Sequence, residues 1–261
     1  MDFFYFIIFF IFGLTIGSFL NSVIYRLQKG EIFPSGRSYC PNCKERLSWS
    51  DLIPVLSFLI LKGKCRYCQK PISLQYPLVE LTTGVLFALI AKAEPVFTLS
   101  QLIATLYLFI ICSLLIIIFV YDLKRYIIPD KIIYPAILIS LIFNFQFLIP
   151  KQLPILSNLI LSALGSAAFF LIIVMISKGN WMGGGDIKLA FFMGLFLGFP
   201  NILVALFSAF FLGAIIGLGL ILAGKKTMRS EIPFGPFLVT GTFLAFFWGE
   251  EIITWYLRLL V

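Results

Sequence analysis

The sequence predicts an all-α polytopic membrane protein with about eight transmembrane helices and one small polar module after the first of them. Three observations predict this class. Hydrophobic residues make up 61% of the 261 residues and charged residues only 12%, which is far from the composition of soluble proteins. Apolar runs close to the ~20 residues needed to cross a bilayer recur along the chain. Most of the 20 lysines and arginines would fall on one side of the membrane if these runs alternate in direction.

The apolar runs define eight candidate spans. They cover residues 3–24, 76–92, 101–121, 132–149, 156–177, 187–199, 201–223 and 234–257. The first is expected to be a retained helix, because no basic segment precedes it and no small-residue cleavage site follows it. The sixth is short, so either it takes its first turn from the glycines before it or it forms a helical hairpin with the seventh. Seven spans is therefore the alternative count.

Charge predicts the orientation of these spans. The segment 25–75 holds nine basic residues, and further ones lie in residues 122–131, 178–188 and 224–233, whereas Lys92, Lys151 and Arg258 fall on the other side. The positive-inside rule then places the N-terminus outside and these segments in the cytoplasm. The net charge of +8 is explained by this topology and by attraction to anionic membrane lipid, without a nucleic-acid partner.

The polar segment 25–75 contains two cysteine pairs. Cys40-Pro-Asn-Cys43 and Cys65-Arg-Tyr-Cys68 have the spacing of a four-thiolate zinc site, which is closed to further ligands and therefore structural. The alternatives are reduced dithiols without metal, or a redox pair. Cys112 lies within the third span and is expected to be a packing residue. The apolar stretch Leu52–Leu61 is too short to span, so it packs against the cysteine module or lies in the membrane interface.

Two aspartates lie where apolar spans meet short basic loops. Asp122 ends the third span, and Asp186 follows three glycines before the sixth. Ionisable groups at membrane depth are costly and usually functional, and two neighbouring carboxylates can share one proton for acid–base catalysis. The competing roles are helix capping, by Asp186 or by Asp130 at the start of the fourth span, and salt bridges to Lys124, Arg125 and Lys188. A cap explains Asp122 poorly, because a negative charge is disfavoured at a helix C-terminus.

The chain has no histidine, which excludes histidine-based hydrolase triads and histidine-ligated zinc proteases. Six motifs follow one another along the chain: Gly17–Leu27, Ser38–Cys43 with Asp51–Pro54, Gly63–Cys68, Tyr76–Glu80, the stretch Asp122–Asp130 together with the Gly-x-Gly-Asp at Gly183–Asp186, and Ile232–Pro236. In this order they resemble the motifs of the type IV prepilin peptidases, which are membrane-embedded aspartyl proteases.

The resemblance implies that Asp122 and Asp186 are the catalytic dyad and that Asp130 is structural. It implies a type IV prepilin or pseudopilin substrate, whose basic leader is removed at the cytoplasmic face of the bacterial inner membrane. Such enzymes often also methylate the new N-terminus with S-adenosylmethionine, and the cysteine loop is linked to that activity. The candidate residues for this second site are Asn21, Arg26, Lys64 and Glu80.

The expected division is a first transmembrane helix at 1–24, a methyltransferase-associated cysteine module at 25–75 and a peptidase domain at 76–261. Two alternatives stay open. One is a peptidase without methyl transfer, whose zinc loop docks the substrate. The other is a transporter or scaffold, disfavoured because both aspartates lie at one face and no internal repeat is visible.

Overall fold

The computed structural model describes residues 2–31, 37–94, 96, 98–148, 153–179, 181–227 and 230–259. Within these ranges the chain forms α-helices and one short 3-10 helix, Trp49–Leu52, and no β-strand. The helices are α1 Asp2–Lys29, α2 Leu56–Ile60, α3 Gln75–Ala93, α4 Leu99–Arg125, α5 Asp130–Leu148, α6 Leu153–Ser177, α7 Gly184–Leu197, α8 Asn201–Leu222 and α9 Gly235–Arg258. Residue 149, the end of the predicted fourth span, and Lys151 lie outside the described residues.

Each of the eight predicted spans overlaps one helix of at least 14 residues, so the predicted fold class is confirmed. In the described part of the chain, six helices are long and apolar enough to cross a membrane: α1, α3, α4, α6, α8 and α9. Helix α7 has 14 residues and is therefore about 21 Å long, against a hydrocarbon core of about 30 Å. It does take its first turn from the preceding glycines, as one of the two predicted alternatives required. The count of eight spans stays a prediction.

The chain divides into two compact units, residues 1–117 and residues 118–261, with the boundary inside α4. In the first unit, α1 packs closely along α3. A side chain at Gly17 would bring its Cβ within 2.7 Å of the Glu80 Cα, so only glycine permits this approach. The rings of Phe87 and Phe109 stack with centroids 4.2 Å apart, which joins α3 to the first part of α4.

In the second unit, α7 is held firmly although it is short. Gly194 of α7 lies directly against the backbone of Ala163 in α6, with no room for a Cβ. Nearby, the Ser166 hydroxyl of α6 donates a hydrogen bond to the Ala190 carbonyl of α7 at 2.8 Å. Small residues and hydroxyl hydrogen bonds are the usual means of joining helices in a membrane, where the hydrophobic effect does not drive their association. This packing fixes the start of α7, which bears Asp186.

The turn between α4 and α5 follows the sequence prediction. Helix α4 ends at Arg125, a non-helical turn contains Ile128-Pro129, and α5 starts at Asp130. The Pro129 carbonyl accepts the first helical hydrogen bonds of α5, from the backbone N–H groups of Ile132 and Ile133. Proline suits this position because it has no N–H that the helix would leave unpaired and because its ring fixes φ near the helical value.

Candidate active site and metal centre

Asp122 lies in the last turn of α4, and only 4% of its surface is exposed. Its Oδ2 accepts a hydrogen bond from the backbone N–H of Gly235, the first residue of α9, at 3.0 Å. The N-terminus of α9 favours a nearby negative charge, which compensates for the unfavourable position of this carboxylate at the C-terminal end of α4. A Cβ at position 235 would lie 2.6 Å from the same oxygen. Glycine is therefore required where α9 meets Asp122.

Asp186 is the third residue of α7 and is also buried. Its Oδ2 accepts a hydrogen bond from the backbone N–H of Gly183 at 3.2 Å. This is a helix-capping contact of the kind that the sequence suggested as an alternative role, and it uses one of the two carboxylate oxygens. The neighbouring Gly185 packs against Ile128, since a Cβ there would lie 3.0 Å from the Ile128 Cβ. The glycine thus lets the start of α7 approach the turn before α5.

The two aspartates belong to the same compact unit. The contact of Gly185 with Ile128 brings the residue before Asp186 against the turn that follows Asp122. Each carboxylate uses Oδ2 to accept one backbone hydrogen bond. An ionised carboxylate has about four acceptor sites, so each retains capacity for a water molecule or a substrate group. Two such groups, one protonated and one ionised, can polarise a carbonyl and activate a water molecule.

Asp130, at the start of α5, forms a salt bridge with Lys188 of α7. The Lys188 Nζ lies 2.6 Å from the Asp130 Oδ1 and 5.0 Å from the ring centroid of Tyr134. The bridge links the start of α5 to the first turns of α7, close to Asp186. The sequence offered a salt bridge to Lys188 as a competing role for the candidate dyad. In the structure Lys188 is paired with Asp130.

The four predicted zinc ligands come together. The Sγ atoms of Cys40, Cys43, Cys65 and Cys68 all lie within 4.8 Å of one another, and those of Cys40 and Cys68 are 4.0 Å apart. Four sulfurs around a tetrahedral zinc ion, each about 2.3 Å from the metal, would be separated by about 3.8 Å. The arrangement therefore fits a zinc ion after a small contraction.

Each cysteine pair sits in a tight turn closed by an isolated antiparallel bridge, Tyr39 with Arg46 and Lys64 with Pro71. The backbone N–H of Cys40 donates to the Glu45 carbonyl at 2.9 Å, and that of Cys65 donates to the Lys70 carbonyl at 2.9 Å. The two turns thus have the same backbone hydrogen bond at the same relative position. Such repeated turns aim both thiols of a pair at a common point, which is what a shared ion requires.

The thiols differ in acidity. Burial raises the pKa of Cys40, but hydrogen bonds from the backbone N–H groups of Cys43 and Asn42 outweigh it and bring this pKa down to about 7. The pKa of Cys43 rises to about 11: a backbone hydrogen bond at Glu45 lowers it, but burial and the neighbouring thiols outweigh that. Burial is also the main cause that raises the pKa of Cys65. Four crowded thiols thus resist joint deprotonation, and a divalent cation would offset that repulsion.

Asp51 joins two parts of the cysteine module by hydrogen bonds. The sequence alone did not identify it as a site residue. Its nearly buried carboxylate accepts hydrogen bonds from the Arg66 Nε at 2.7 Å and from the Ser48 hydroxyl at 2.8 Å. Burial would raise the pKa of Asp51, but the hydrogen bonds from Arg66 and Ser48 hold that pKa below its usual value. The contact links the segment between the two cysteine pairs to the second pair.

The four candidate methyltransferase residues lie in three places in the first unit. Asn21 and Glu80 are buried on the facing sides of α1 and α3. The Asn21 Nδ2 donates to the Tyr76 carbonyl at 3.0 Å, and the Glu80 carboxylate accepts from the Val55 N–H at 2.8 Å. Arg26 is buried further along α1, and Lys64 is exposed in the second cysteine turn.

Gly235 is the other residue that sequence reasoning missed. The motif Ile232–Pro236 contributes to the family resemblance, but its sequence predicts no role for the glycine. The only signal is a glycine before a proline at the start of a helix. This alone does not reveal that the Gly235 N–H donates to a carboxylate 113 residues earlier in the chain.

Comparisons with known proteins find two matching family models and several similar proteins. The model of the "Bacterial Peptidase A24 N-terminal domain" matches residues 11–93, and that of the "Type IV leader peptidase family" matches residues 109–218. The chain is 38% identical to the prepilin leader peptidase/N-methyltransferase of Bacillus subtilis, covering 97% of this chain and 98% of that protein. It is 33% identical to proteins of the same description from Aeromonas salmonicida, over 97% of this chain and 94% of that protein, and from Vibrio cholerae, over 95% and 98%.

No solved structure matches the chain. The family match to residues 109–218 includes both Asp122 and Asp186, and the match to residues 11–93 includes all four clustered cysteines. The full-length similarity to curated relatives joins the two regions in one protein. The chain belongs to the type IV leader peptidase family.

Proposed function

We propose that this chain is a membrane-embedded aspartic peptidase that cleaves the leader from type IV prepilin-like precursors and methylates the new N-terminal amine. Its membership of the family, and curated relatives named for both activities, support this function. The structural observation that carries the peptidase half is the pair of buried carboxylates, Asp122 and Asp186, at the ends of two helices in one unit. A transporter or scaffold is not favoured by these relatives.

In the proposed peptidase reaction, one carboxylate is ionised and removes a proton from a water molecule between the two aspartates. The other is protonated and donates a hydrogen bond to the carbonyl oxygen of the scissile peptide. The water oxygen bonds to the carbonyl carbon. The C–N bond then breaks as the leaving amine takes up a proton. The backbone N–H groups of Gly235 and Gly183 hold the Oδ2 atoms of the dyad in place through this sequence.

The proposed location is the cytoplasmic face of the bacterial inner membrane, with the N-terminus outside. The excess of lysine and arginine in segments 25–75, 122–131 and 178–188 supports this orientation. The substrates are prepilins or pseudopilins, whose basic leader would lie in the cytoplasm and whose apolar helix would lie in the membrane. The dyad, at the membrane surface, would then meet the peptide bond between these two parts.

The proposed metal is zinc, held by Cys40, Cys43, Cys65 and Cys68. The separations of their Sγ atoms support four-thiolate coordination. A zinc ion bound by four thiolates has no open position, so it supplies no reactive ligand and would join the two cysteine turns into one folded module. Small polar modules without a large hydrophobic core commonly need such a link.

For the second activity, the methyl donor is S-adenosylmethionine, whose sulfonium gives up its methyl group to the neutral N-terminal amine of the cleaved product. The amine nitrogen loses one proton in the same reaction. Asn21, Arg26, Lys64 and Glu80 remain the proposed residues for this site. The hydrogen bonds of Asn21 to Tyr76 and of Glu80 to Val55 support a positioning role, because they fix where α1, α3 and the cysteine module meet.

We also propose the functional division into residues 1–24, 25–75 and 76–261, in which the middle segment serves methyl transfer and the last serves cleavage. A single assay tests the combined function. Purified protein in lipid is incubated with a full-length prepilin, with and without S-adenosylmethionine, and the product is analysed by mass spectrometry. We expect leader loss in both reactions and an added methyl group only with the methyl donor.

The same assay separates the alternatives. Leader loss without any methyl transfer would leave a peptidase only. A product that is neither cleaved nor methylated, from protein that is folded, would contradict the function as a whole. The matched control is a precursor that already lacks its leader, which tests methyl transfer independently of cleavage.

A further inference from the structure

Helix α2, Leu56–Ile60, has large apolar side chains that are exposed on the surface of the first unit. Leu56, Leu59 and Ile60 have 57%, 63% and 74% of their surface exposed. Their spacing of three and four residues places them on one side of the helix. Phe58 lies against Gly63 of the cysteine module instead, with ring atoms 3.1 Å from the position of a Cβ there. One side of α2 therefore faces the module and the other has no protein cover among the described residues of this unit.

The position of α2 along the membrane helices is fixed by a buried hydrogen bond. The backbone N–H of Val55, directly before α2, donates to the Glu80 Oε2 at 2.8 Å. Glu80 lies five residues after the first residue of α3, so it is about 7.5 Å along that helix. Because α3 is long and apolar enough to cross a bilayer, α2 begins at a level inside the first turns of a membrane helix rather than above them.

The surface of α3 at this level is apolar as well. Leu78 and Leu81 of α3 are exposed, and both lie within one turn of Glu80. Such side chains on a spanning helix face lipid. A segment joined to α3 at this level meets the region between lipid headgroups and acyl chains, which is about 5–10 Å deep for helices that lie in the interface.

The residues that flank α2 have the chemistry of that region. Trp49, seven residues before α2, is 80% exposed, and tryptophan is enriched where membranes meet water. Lys62, two residues after α2, is also exposed. Lysines beside an inserted apolar face attract the anionic headgroups of the cytoplasmic leaflet. Apolar face, tryptophan and lysine together are the pattern of an interfacial anchor.

We propose that α2 is inserted in the membrane interface, with Leu56, Leu59 and Ile60 among the lipid acyl chains and Lys62 at anionic headgroups. The partner of this surface is the lipid bilayer itself. Insertion would hold the cysteine module against the membrane at a constant height relative to α3, through the Val55–Glu80 hydrogen bond.

The test measures the depth of single tryptophans by fluorescence. All four native tryptophans are replaced by phenylalanine in the full-length protein, which is reconstituted in bilayers containing phosphatidylglycerol. Leu59→Trp and Ile60→Trp each report on the exposed side of α2, so the result does not depend on one variant. Glu45→Trp is the reference for water, because Glu45 is an exposed carboxylate in the first cysteine turn and would not lie among acyl chains.

We expect the tryptophans at positions 59 and 60 to lose most of their emission to lipids brominated near the headgroup, and to be shielded from iodide. The tryptophan at position 45 should respond in the opposite way. Quenching of position 59 or 60 by iodide to the same extent as position 45 would overturn the proposal. So would shielding from both iodide and brominated lipid, since this face would then be covered by protein, such as a second copy of the chain. No substrate is present, so the outcome is independent of the peptidase assignment.

Discussion

Replacing Gly235 by alanine should disable cleavage while leaving the protein folded. The new Cβ would lie 2.6 Å from the Asp122 Oδ2 and 3.1 Å from its Cγ. Ordinary contacts of a Cβ begin near 3.4 Å, so either the carboxylate or the start of α9 must move by about 0.8 Å. A displacement of about 1 Å in a catalytic group can cost about a hundredfold in rate, which corresponds to about 2.7 kcal/mol of transition-state stabilisation. We therefore expect kcat to fall by about two orders of magnitude.

The assay follows leader removal from a prepilin at several substrate concentrations, so that kcat and KM are obtained separately. KM should change little, because the substitution displaces the proposed catalytic carboxylate of Asp122 rather than a surface that binds the whole substrate. Gly219→Ala is the matched control: it makes the same chemical change in α8, where a Cβ would meet no atom within 4 Å. Methyl transfer to a substrate that already lacks its leader serves as a second control, and it should be normal in both variants.

Full cleavage activity in folded Gly235→Ala would refute the reasoning, because the carboxylate could not then be seated against α9 as described. An equal loss of cleavage and of methyl transfer would also contradict it. Such a result would mean that the substitution disturbs the whole protein and not the position of Asp122.

Three further predictions concern neighbouring features. Gly185→Ala should reduce cleavage several-fold, because its Cβ would press on Ile128 at 3.0 Å, whereas Gly184→Ala, with open space around it, should cleave normally; equal rates would contradict this packing. Asp130→Asn removes the salt bridge to Lys188, but an exposed ion pair is worth only about 0–1 kcal/mol. Cleavage should therefore stay within about fivefold of wild type, and a loss as large as that of the dyad variants would give Asp130 a direct role. Metal analysis should find about one zinc per chain, and a strong chelator should remove it and lower the thermal stability of the protein; metal-free protein of unchanged stability would contradict the zinc assignment.

Features that depend on short stretches of sequence could be predicted well. Long apolar runs correspond to helices because a bilayer imposes both their length and their composition. The four cysteines could be grouped because each pair lies within one turn and a shared ion has strict distance requirements. The start of α5 could be predicted because Ile128-Pro129 restricts the backbone before it.

Contacts between residues far apart in sequence could not be predicted. The sequence indicated that Asp122 is poorly placed at the end of α4, but not that the N-terminus of α9 compensates for it from 113 residues away. Likewise, the pairing of Lys188 with Asp130 depends on how α5 and α7 pack, which no local pattern encodes. The level at which α2 meets α3 also could not be predicted, because it depends on the hydrogen bond from the Val55 N–H to the Glu80 carboxylate.

The measurement that tests the central claim most directly is cleavage of a prepilin by Asp122→Asn, Asp186→Asn and Asp130→Asn proteins in membranes. Asparagine keeps the size of each side chain and its carbonyl acceptor but cannot exchange a proton. The proposed dyad predicts that Asp122→Asn and Asp186→Asn lose cleavage almost completely but retain methyl transfer to a pre-cleaved substrate. It also predicts that Asp130→Asn still cleaves. Cleavage near the wild-type rate by either Asp122→Asn or Asp186→Asn would contradict the catalytic pair.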